Sequence, residues 1–133
     1  MKYLLDTNIC IYLIKNKPKK LLVRIQKTPL NEIAVSSITI AEMEYGIAKS
    51  TKPTESRIAL MKFLLPFEII GFTEEAAAYY GSIRCDLQKK GAPVGNMDML
   101  IASIALAHGL TLVTNNVKEF SRIDKLKVEN WTV

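Results

Sequence analysis

The chain has 133 residues, of which 49% are hydrophobic and 23% charged, and its formal net charge is +5. This length predicts one domain, residues 1–133, with a real hydrophobic core, and the composition excludes a disordered chain. No apolar run approaches the roughly 18 residues that a membrane span needs. Because Met1 and Lys2 lead directly into a strand without a signal-peptide pattern, we expect a cytoplasmic protein with no membrane partner.

Strands alternate with helices along the chain. The predicted strands cover residues 3–5, 32–36, 67–72 and 111–114, with a short fifth at 128–131. The predicted helices begin near Asn8 and end before Pro18, and then cover 21–26, 40–49, 53–65, 74–90 and 97–108. Thr7 and Asn8 are good N-caps for the first helix, and Gly91 and Gly109 end two others. The alternation predicts an α/β/α sandwich with a central, largely parallel sheet of four to five strands.

Cysteine and histidine chemistry is nearly excluded. Cys10 and Cys85 lie inside helical patterns without metal-ligand spacing, so we expect reduced, buried thiols. His108 lies in the last turn of a helix, where a cation suits the helix dipole. A single histidine excludes a paired-imidazole nuclease and leaves a zinc site short of ligands.

Four carboxylates are predicted to converge on the carboxyl edge of the sheet, where open α/β sheets bind ligands. Asp6 ends the first strand, and Glu42 lies in the first turn of the helix that follows the second strand. Asp98 begins a helix that runs antiparallel to the fourth strand, so it starts at the edge where that strand ends. Glu119 follows the fourth strand by a few residues.

Each acid also has a purely structural interpretation. Asp6 is placed to cap the first helix, and residues 39–42 and 116–119 have the spacing of capping boxes. Asp98 is an acid in the first turn of a helix, where the dipole favours it. Four like charges on one edge nevertheless repel one another unless a cation neutralises them.

The chemistry of the four acids indicates a divalent cation and a phosphate substrate. All-oxygen ligation points to Mg²⁺, with Mn²⁺ as a possible substitute, and such an ion activates water for phosphodiester hydrolysis. Four further polar side chains are placed to orient water or phosphate around it: Thr7, Ser37, Thr114 and Asn116. The basic net charge, carried mostly by lysines, fits a polyanionic partner.

Four segments resemble the PIN-domain ribonucleases, and more narrowly the VapC toxins of bacterial VapBC type II toxin–antitoxin modules. They are LLDTNI at 4–9, SITIAEMEYG at 37–46, GNMDMLIASIALAHG at 95–109 and LVTNNVKEFSRI at 112–123. The resemblance implies a PIN domain and an Mg²⁺- or Mn²⁺-dependent endoribonuclease with catalytic, metal-binding acids at Asp6, Glu42, Asp98 and Glu119. Some PIN domains carry an acid where this chain has Asn116, and Asn96 and Met97 depart from the usual motif.

The resemblance also implies partners and a substrate. A VapB-type antitoxin is expected to lay a C-terminal segment over the acids and inhibit them. A homodimer is expected, with operator DNA bound only indirectly through the antitoxin. The implied substrate is a structured RNA, and for relatives of this type it is the anticodon stem-loop of initiator tRNA, whose cleavage blocks translation.

Two other classes of function remain open from the sequence. An acid after the first strand also suits a phosphatase with an aspartyl nucleophile, although the chain reads Asp6-Thr7-Asn8 where haloacid-dehalogenase-type enzymes have D-x-D. A non-catalytic binding module, with the acids acting only as helix caps, is the third possibility.

Overall fold

A computed structural model describes residues 1–133. The strands are β1 (Tyr3–Leu5), β2 (Ile33–Ser36), β3 (Glu68–Ile70), β4 (Thr111–Val113) and β5 (Val128–Glu129). The helices are α1 (Thr7–Ile14), α2 (Lys19–Lys27), α3 (Ser37–Lys49), α4 (Pro53–Leu64), α5 (Glu74–Lys90), α6 (Asn96–His108) and α7 (Val117–Phe120). None of these helices is long and apolar enough to cross a membrane.

The five strands form one sheet in the order β3-β2-β1-β4-β5, and every neighbouring pair is parallel. The predicted α/β/α sandwich is confirmed. After β1 the chain adds strands on one side, and after β4 it adds a strand on the other. The boundary between β1 and β4 is therefore the topological switch point, where the carboxyl ends of parallel strands leave a crevice for ligands.

Alternate residues of the central strands fill two cores on opposite faces of the sheet, as the pleat requires. Leu4 and Leu112 pack with the buried sides of α5 and α6. Leu5 and Val113 pack on the other face with residues of α1 and α2, including Ile9. Both central strands are covered on both sides, so only their ends reach solvent.

Several predicted helix ends are confirmed. Thr73 caps α5 by accepting a hydrogen bond from the Ala76 amide at 3.3 Å. Gly91 and Gly109 follow α5 and α6 with φ of 63° and 64°, in the left-handed region that glycine enters without steric cost.

The predicted starts of two helices are wrong by a few residues. Asp6 itself caps α1, so the helix begins at Thr7 and neither Thr7 nor Asn8 is the cap. Ser36 caps α3 by accepting from the Thr39 amide at 3.1 Å, so residues 39–42 form no capping box. Because the last residue of each strand is already the cap, no loop intervenes, and Glu42 lies in the second turn of α3 rather than the first.

Two further expectations are corrected. Asn116 precedes the short, unpredicted α7 without any side-chain capping bond, so residues 116–119 form no capping box either. Cys85 is exposed rather than buried, because it lies off the stripe of α5 that packs against the core. Cys10 is fully buried as expected, and burial raises the pKa of its thiol.

Candidate active site

Asp6 lies at the switch point between β1 and β4 and is only 4% exposed. One carboxylate oxygen accepts a hydrogen bond from the Thr7 amide at 2.9 Å, and the other accepts from the Thr114 hydroxyl at 2.7 Å. Thr114 immediately follows β4, so the two neighbouring strand ends are joined directly. The Asp6 carboxylate caps α1 and is the most buried of the four acids at this edge.

Glu42 reaches the same edge from α3. Its Oε1 accepts from the Thr7 hydroxyl at 2.6 Å, and that hydroxyl lies 3.0 Å from the hydroxyl of Thr39. Thr7 therefore contacts Asp6 through its amide and Glu42 through its side chain. This single residue fixes the relative positions of two acids that are 36 positions apart in the sequence.

Asp98 and Glu119 form the second half of the site. Glu119 accepts from the Gly95 amide at 2.8 Å and from the Asn116 side-chain amide at 2.6 Å. A Cβ placed on Gly95 would lie 3.6 Å from Asp98 Oδ2 and 3.9 Å from Glu119 Oε1. The two carboxyl groups therefore flank the same glycine, and each shifts the pKa of the other.

The four acids perturb one another electrostatically. Burial, followed by the charges of Asp6, Glu119 and Glu42, raises the pKa of Asp98 to about 7. Burial also raises the pKa of Asp6, and the charges of Glu42 and Glu119 add to that effect, against the hydrogen bonds from Thr114 and Thr7. The ion pairs of the protein involve none of these four acids, although the positive charge of Arg122 contributes to lowering the pKa of Glu119.

Glu119 behaves differently from its neighbours. Desolvation raises its pKa, but the hydrogen bonds from Gly95 and Asn116 outweigh that effect and hold the pKa below its ordinary value. Glu119 therefore stays ionised near neutral pH, whereas Asp98 is partly protonated there. Environments that separate the pKa values of neighbouring carboxyls are typical of functional sites.

The donor set fits a Mg²⁺ or Mn²⁺ ion. No three Asp, Glu, His or Cys side chains stand close enough together to hold an ion between them. Mg²⁺ does not need three such ligands, because it usually keeps several waters and takes only one or two protein carboxylates. A divalent ion would also relieve the repulsion that raises the pKa of Asp98.

Most of the polar residues singled out from the sequence lie in this network, and their roles stay predictions. Thr7, Thr114 and Asn116 all contact one of the acids. Ser37 begins α3 at the same edge, but its hydroxyl makes no hydrogen bond. The neighbouring Ser36, which the sequence interpretation did not name as a site residue, is fully buried and lies 3.4 Å from the Thr39 hydroxyl.

The helix-cap interpretation of the acids holds for one of them. Asp6 caps α1, but Glu42 lies in the second turn of α3 and bonds a side chain. α6 has no side-chain cap, and Asp98 accepts no backbone hydrogen bond. The acids other than Asp6 are therefore not explained by helix capping.

One contact that supports the site, between Asn115 and Tyr12, was not predicted from the sequence. The Asn115 side-chain amide donates to the Tyr12 hydroxyl at 3.0 Å, which ties α1 to the loop that carries Thr114 and Asn116. The Asn115 side-chain oxygen is buried and has no partner. No periodicity or motif pairs residues this far apart, so only the fold reveals the contact.

Replacing Tyr12 with Phe should slow the reaction at this edge without unfolding the protein. The change leaves the partly buried Asn115 side-chain amide without its partner, and we expect a loss of about 1 kcal/mol of stability and a several-fold lower turnover rate. Thermal melting and turnover measurements test this. Tyr80→Phe is the matched control, because the Tyr80 hydroxyl accepts from Arg84 at 3.0 Å on the exposed side of α5. Equal effects of the two changes would contradict the supporting role of Tyr12.

Comparisons with known proteins define the class first. The family model for the PIN domain matches residues 3–126. In sequence, the chain is 47% identical over 132 residues to ribonuclease VapC2 of Rickettsia felis, covering 98% of both chains. It is 40% identical over 131 residues to the tRNA(fMet)-specific endonuclease VapC of Salmonella typhimurium, again covering 98% of both.

Solved structures give the same result. The VapBC2 complex of R. felis, bound to a DNA fragment from its promoter, contains a chain that superposes with a TM-score of 0.91 at 46% identity, over 98% of this chain and 99% of that one. DNA-bound VapBC of S. typhimurium gives 0.93 at 40% identity, over 98% of both chains. The chain therefore belongs to the PIN-domain family and, within it, to the VapC ribonuclease toxins of VapBC toxin–antitoxin systems.

Proposed function

We propose that the protein is a Mg²⁺- or Mn²⁺-dependent endoribonuclease whose reaction takes place at the β1/β4 edge. The observation that carries the proposal is the cluster of four carboxylates at the switch point, which repel one another and take part in no ion pair. Such a cluster is an unfavourable arrangement for a structural role alone. It fits a site that holds a divalent ion and receives a phosphodiester.

The residues of the site have two proposed roles: the acids bind the ion, and neighbouring polar side chains orient the acids. Asp6 and Asp98 would hold the ion, and Glu42 and Glu119 would complete its surroundings directly or through water. The bound ion would supply Lewis acidity, lowering the pKa of a coordinated water and offsetting charge on the phosphate oxygens. Thr7 and Thr114 fix the carboxylates by donating hydrogen bonds to Glu42 and Asp6, and Asn116 does the same for Glu119.

The substrate we propose is tRNA, and specifically the anticodon stem-loop of initiator tRNA. Relatives from S. typhimurium and Shigella flexneri, 40% and 38% identical, are named tRNA(fMet)-specific endonucleases. Cleavage of that RNA in the cytoplasm would block the start of translation. The basic net charge of the chain supports a nucleic-acid substrate but does not by itself distinguish RNA types.

We also propose a VapB-type antitoxin as the partner that silences the enzyme. An apolar groove of about 590 Å³ runs between α1, α3 and α4, and Glu42 lines it together with Ile11, Met43 and Leu60. An antitoxin segment seated there would reach the acids directly. Operator DNA would then be bound only through the antitoxin. Full ribonuclease activity of a purified toxin–antitoxin complex would contradict this inhibition.

A homodimer is the quaternary structure we propose. Ile58 and Met61 on α4 and Leu65 directly after it are exposed apolar residues at helical spacing, and Leu65 is 83% exposed. Ile69 on the edge strand β3 is a further exposed apolar residue. Contiguous exposed apolar residues mark interaction surfaces. Sedimentation equilibrium that finds only monomer at micromolar concentration would contradict the dimer.

Cleavage of a total-tRNA pool by the purified, antitoxin-free protein tests the proposed function. We expect discrete cuts with Mg²⁺ or Mn²⁺ and none with EDTA, and sequencing of the cut ends identifies the RNA. Messenger and ribosomal RNA are assayed in parallel. Absence of cleavage in all three pools by folded, metal-replete protein would overturn the nuclease assignment.

A further inference from the structure

The net positive charge of the protein comes from one segment of the chain. Residues 7–31 contain six basic and no acidic residues. The rest of the chain contains twelve basic and thirteen acidic residues, so it carries no net positive charge. The net electrostatic attraction between this protein and a polyanion therefore comes from the segment that includes α1, α2 and the turn between them.

Five lysines of this segment form a surface that we call the cationic surface: Lys15, Lys17, Lys19, Lys20 and Lys27. All five are exposed, and none has a carboxylate within ion-pairing distance. On α2, Leu21 is buried against the core, while Lys19, Lys20 and Lys27 line an open cleft of about 650 Å³ on the other side.

Arg24 holds this helix in place rather than adding a free cation. Its guanidinium lies 3.4 Å from Glu129 and 4.5 Å from the centroid of the Trp131 ring. Trp131 in turn packs edge-on against Tyr3 of β1, with ring centroids 4.8 Å apart. The lysines are thus presented on a helix that is fixed to the sheet, and not on a mobile loop.

The cationic surface is contiguous with the acidic edge. α1 begins at the edge with Thr7, and its Tyr12 contacts Asn115 of the site loop at 3.0 Å. Tyr12 and Lys17 line the same small cleft. Lys15 lines the groove that Glu42 also lines. A strand bound at the acids can therefore continue onto the lysines without leaving the protein surface.

We propose that the cationic surface binds the phosphate backbone of the RNA substrate and so anchors it for cleavage at the acidic edge. This inference rests on the proposed function. Four carboxylates repel the phosphates around the scissile bond, so the free energy of association must come from another part of the surface. Unpaired lysines act as point charges towards phosphates, whatever the base sequence. α2 spans about 13 Å, enough to face several successive phosphates.

The test compares two triple variants that remove the same charge. Lys17→Gln/Lys19→Gln/Lys20→Gln changes the cationic surface, and Lys52→Gln/Lys62→Gln/Lys89→Gln changes exposed lysines on α4 and α5 or next to them. Binding of labelled initiator tRNA is measured without cleavage, in an Asp98→Asn background with EDTA, over a range of KCl concentrations. Melting temperatures confirm that both variants are folded.

We expect the first variant to bind the tRNA about 10-fold or more weakly, and its log Kd against log[KCl] slope to fall by about 2 to 3, roughly one for each lost phosphate contact. In cleavage by the variants with Asp98 intact, KM should rise while kcat is retained. The control variant should change the slope by less than one. Equal binding by the two triple variants would overturn the inference. In that case an acidic segment of a partner protein, rather than RNA, would be the ligand to test at the cationic surface. If the two variants bind equally and the parent still cuts RNA, only the role of the cationic surface is rejected, and the proposed ribonuclease function is unaffected.

Discussion

Asp98→Asn should lower the rate of RNA cleavage by about 100-fold or more while the protein stays folded and still binds RNA. The substitution keeps the shape of the side chain and removes the charge that would hold the divalent ion. Asp98 accepts no backbone hydrogen bond, so no buried donor loses its partner. Asp6→Asn is a less clean test, because the Thr114 hydroxyl and the Thr7 amide both donate to Asp6.

The measurement is single-turnover cleavage of the RNA that the parent cuts, at saturating Mg²⁺, beside tRNA binding by the same variant. Asp124→Asn serves as the matched control, because this aspartate is 75% exposed and pairs only with Lys90 at 3.4 Å. We expect the control to cut at the parental rate. Undiminished cleavage by Asp98→Asn would exclude this carboxylate from the reaction.

The metal-free protein should become less stable as the pH rises from about 4 to 8. The folded-state pKa of Asp98 is raised to about 7 from an ordinary 3.8, so the folded state holds a proton that the unfolded chain has lost. The stabilisation from that proton is fully present below pH 3.8 and is lost as the pH passes through about 7. Because Asp98 is only half-buried, solvent screening reduces the effect to about 1–2 kcal/mol, which is several degrees in Tm.

Thermal melting in EDTA across this pH range, with and without Asp98→Asn, measures the effect. The variant should melt several degrees above the parent at pH 8 and at the same temperature near pH 4. Added Mg²⁺ should reverse the order at pH 8, since an ion that binds only the folded parent stabilises it by mass action. A variant that melts below the parent in EDTA at pH 8 would show that Asp98 is a structural cap and not a repelled ligand.

Much of the fold could be predicted because its signals are local. Short apolar runs, helix caps and the two terminating glycines are read within a few residues, and they predicted the sandwich and its parallel sheet. The errors also arose locally. Strand and helix join directly at Asp6 and at Ser36, so the strand's last residue acts as the cap and the helix begins earlier than the apolar periodicity indicates.

The candidate acids could be named from chain direction, but their arrangement could not. Parallel strands end at one edge, so Asp6, Glu42, Asp98 and Glu119 were predicted to meet there. Which acid keeps a proton depends on the Gly95 amide and the Asn116 side chain, which lower the pKa of Glu119, and on burial, which raises that of Asp98. Ser37, and not Ser36, was predicted as a site residue, because the sequence does not show which of the two hydroxyls points into the protein.

The sequence alone determined the fold class, the family resemblance and the location of the net positive charge in residues 7–31, because each depends only on residue type, order and spacing. The tertiary structure alone decided the strand order that places β1 beside β4, the hydrogen bond from Thr114 to Asp6 and the contact between Tyr12 and Asn115. These features join residues about a hundred positions apart. Only the packing of helices on both faces of the sheet selects such pairings, since no local propensity encodes a partner at that distance.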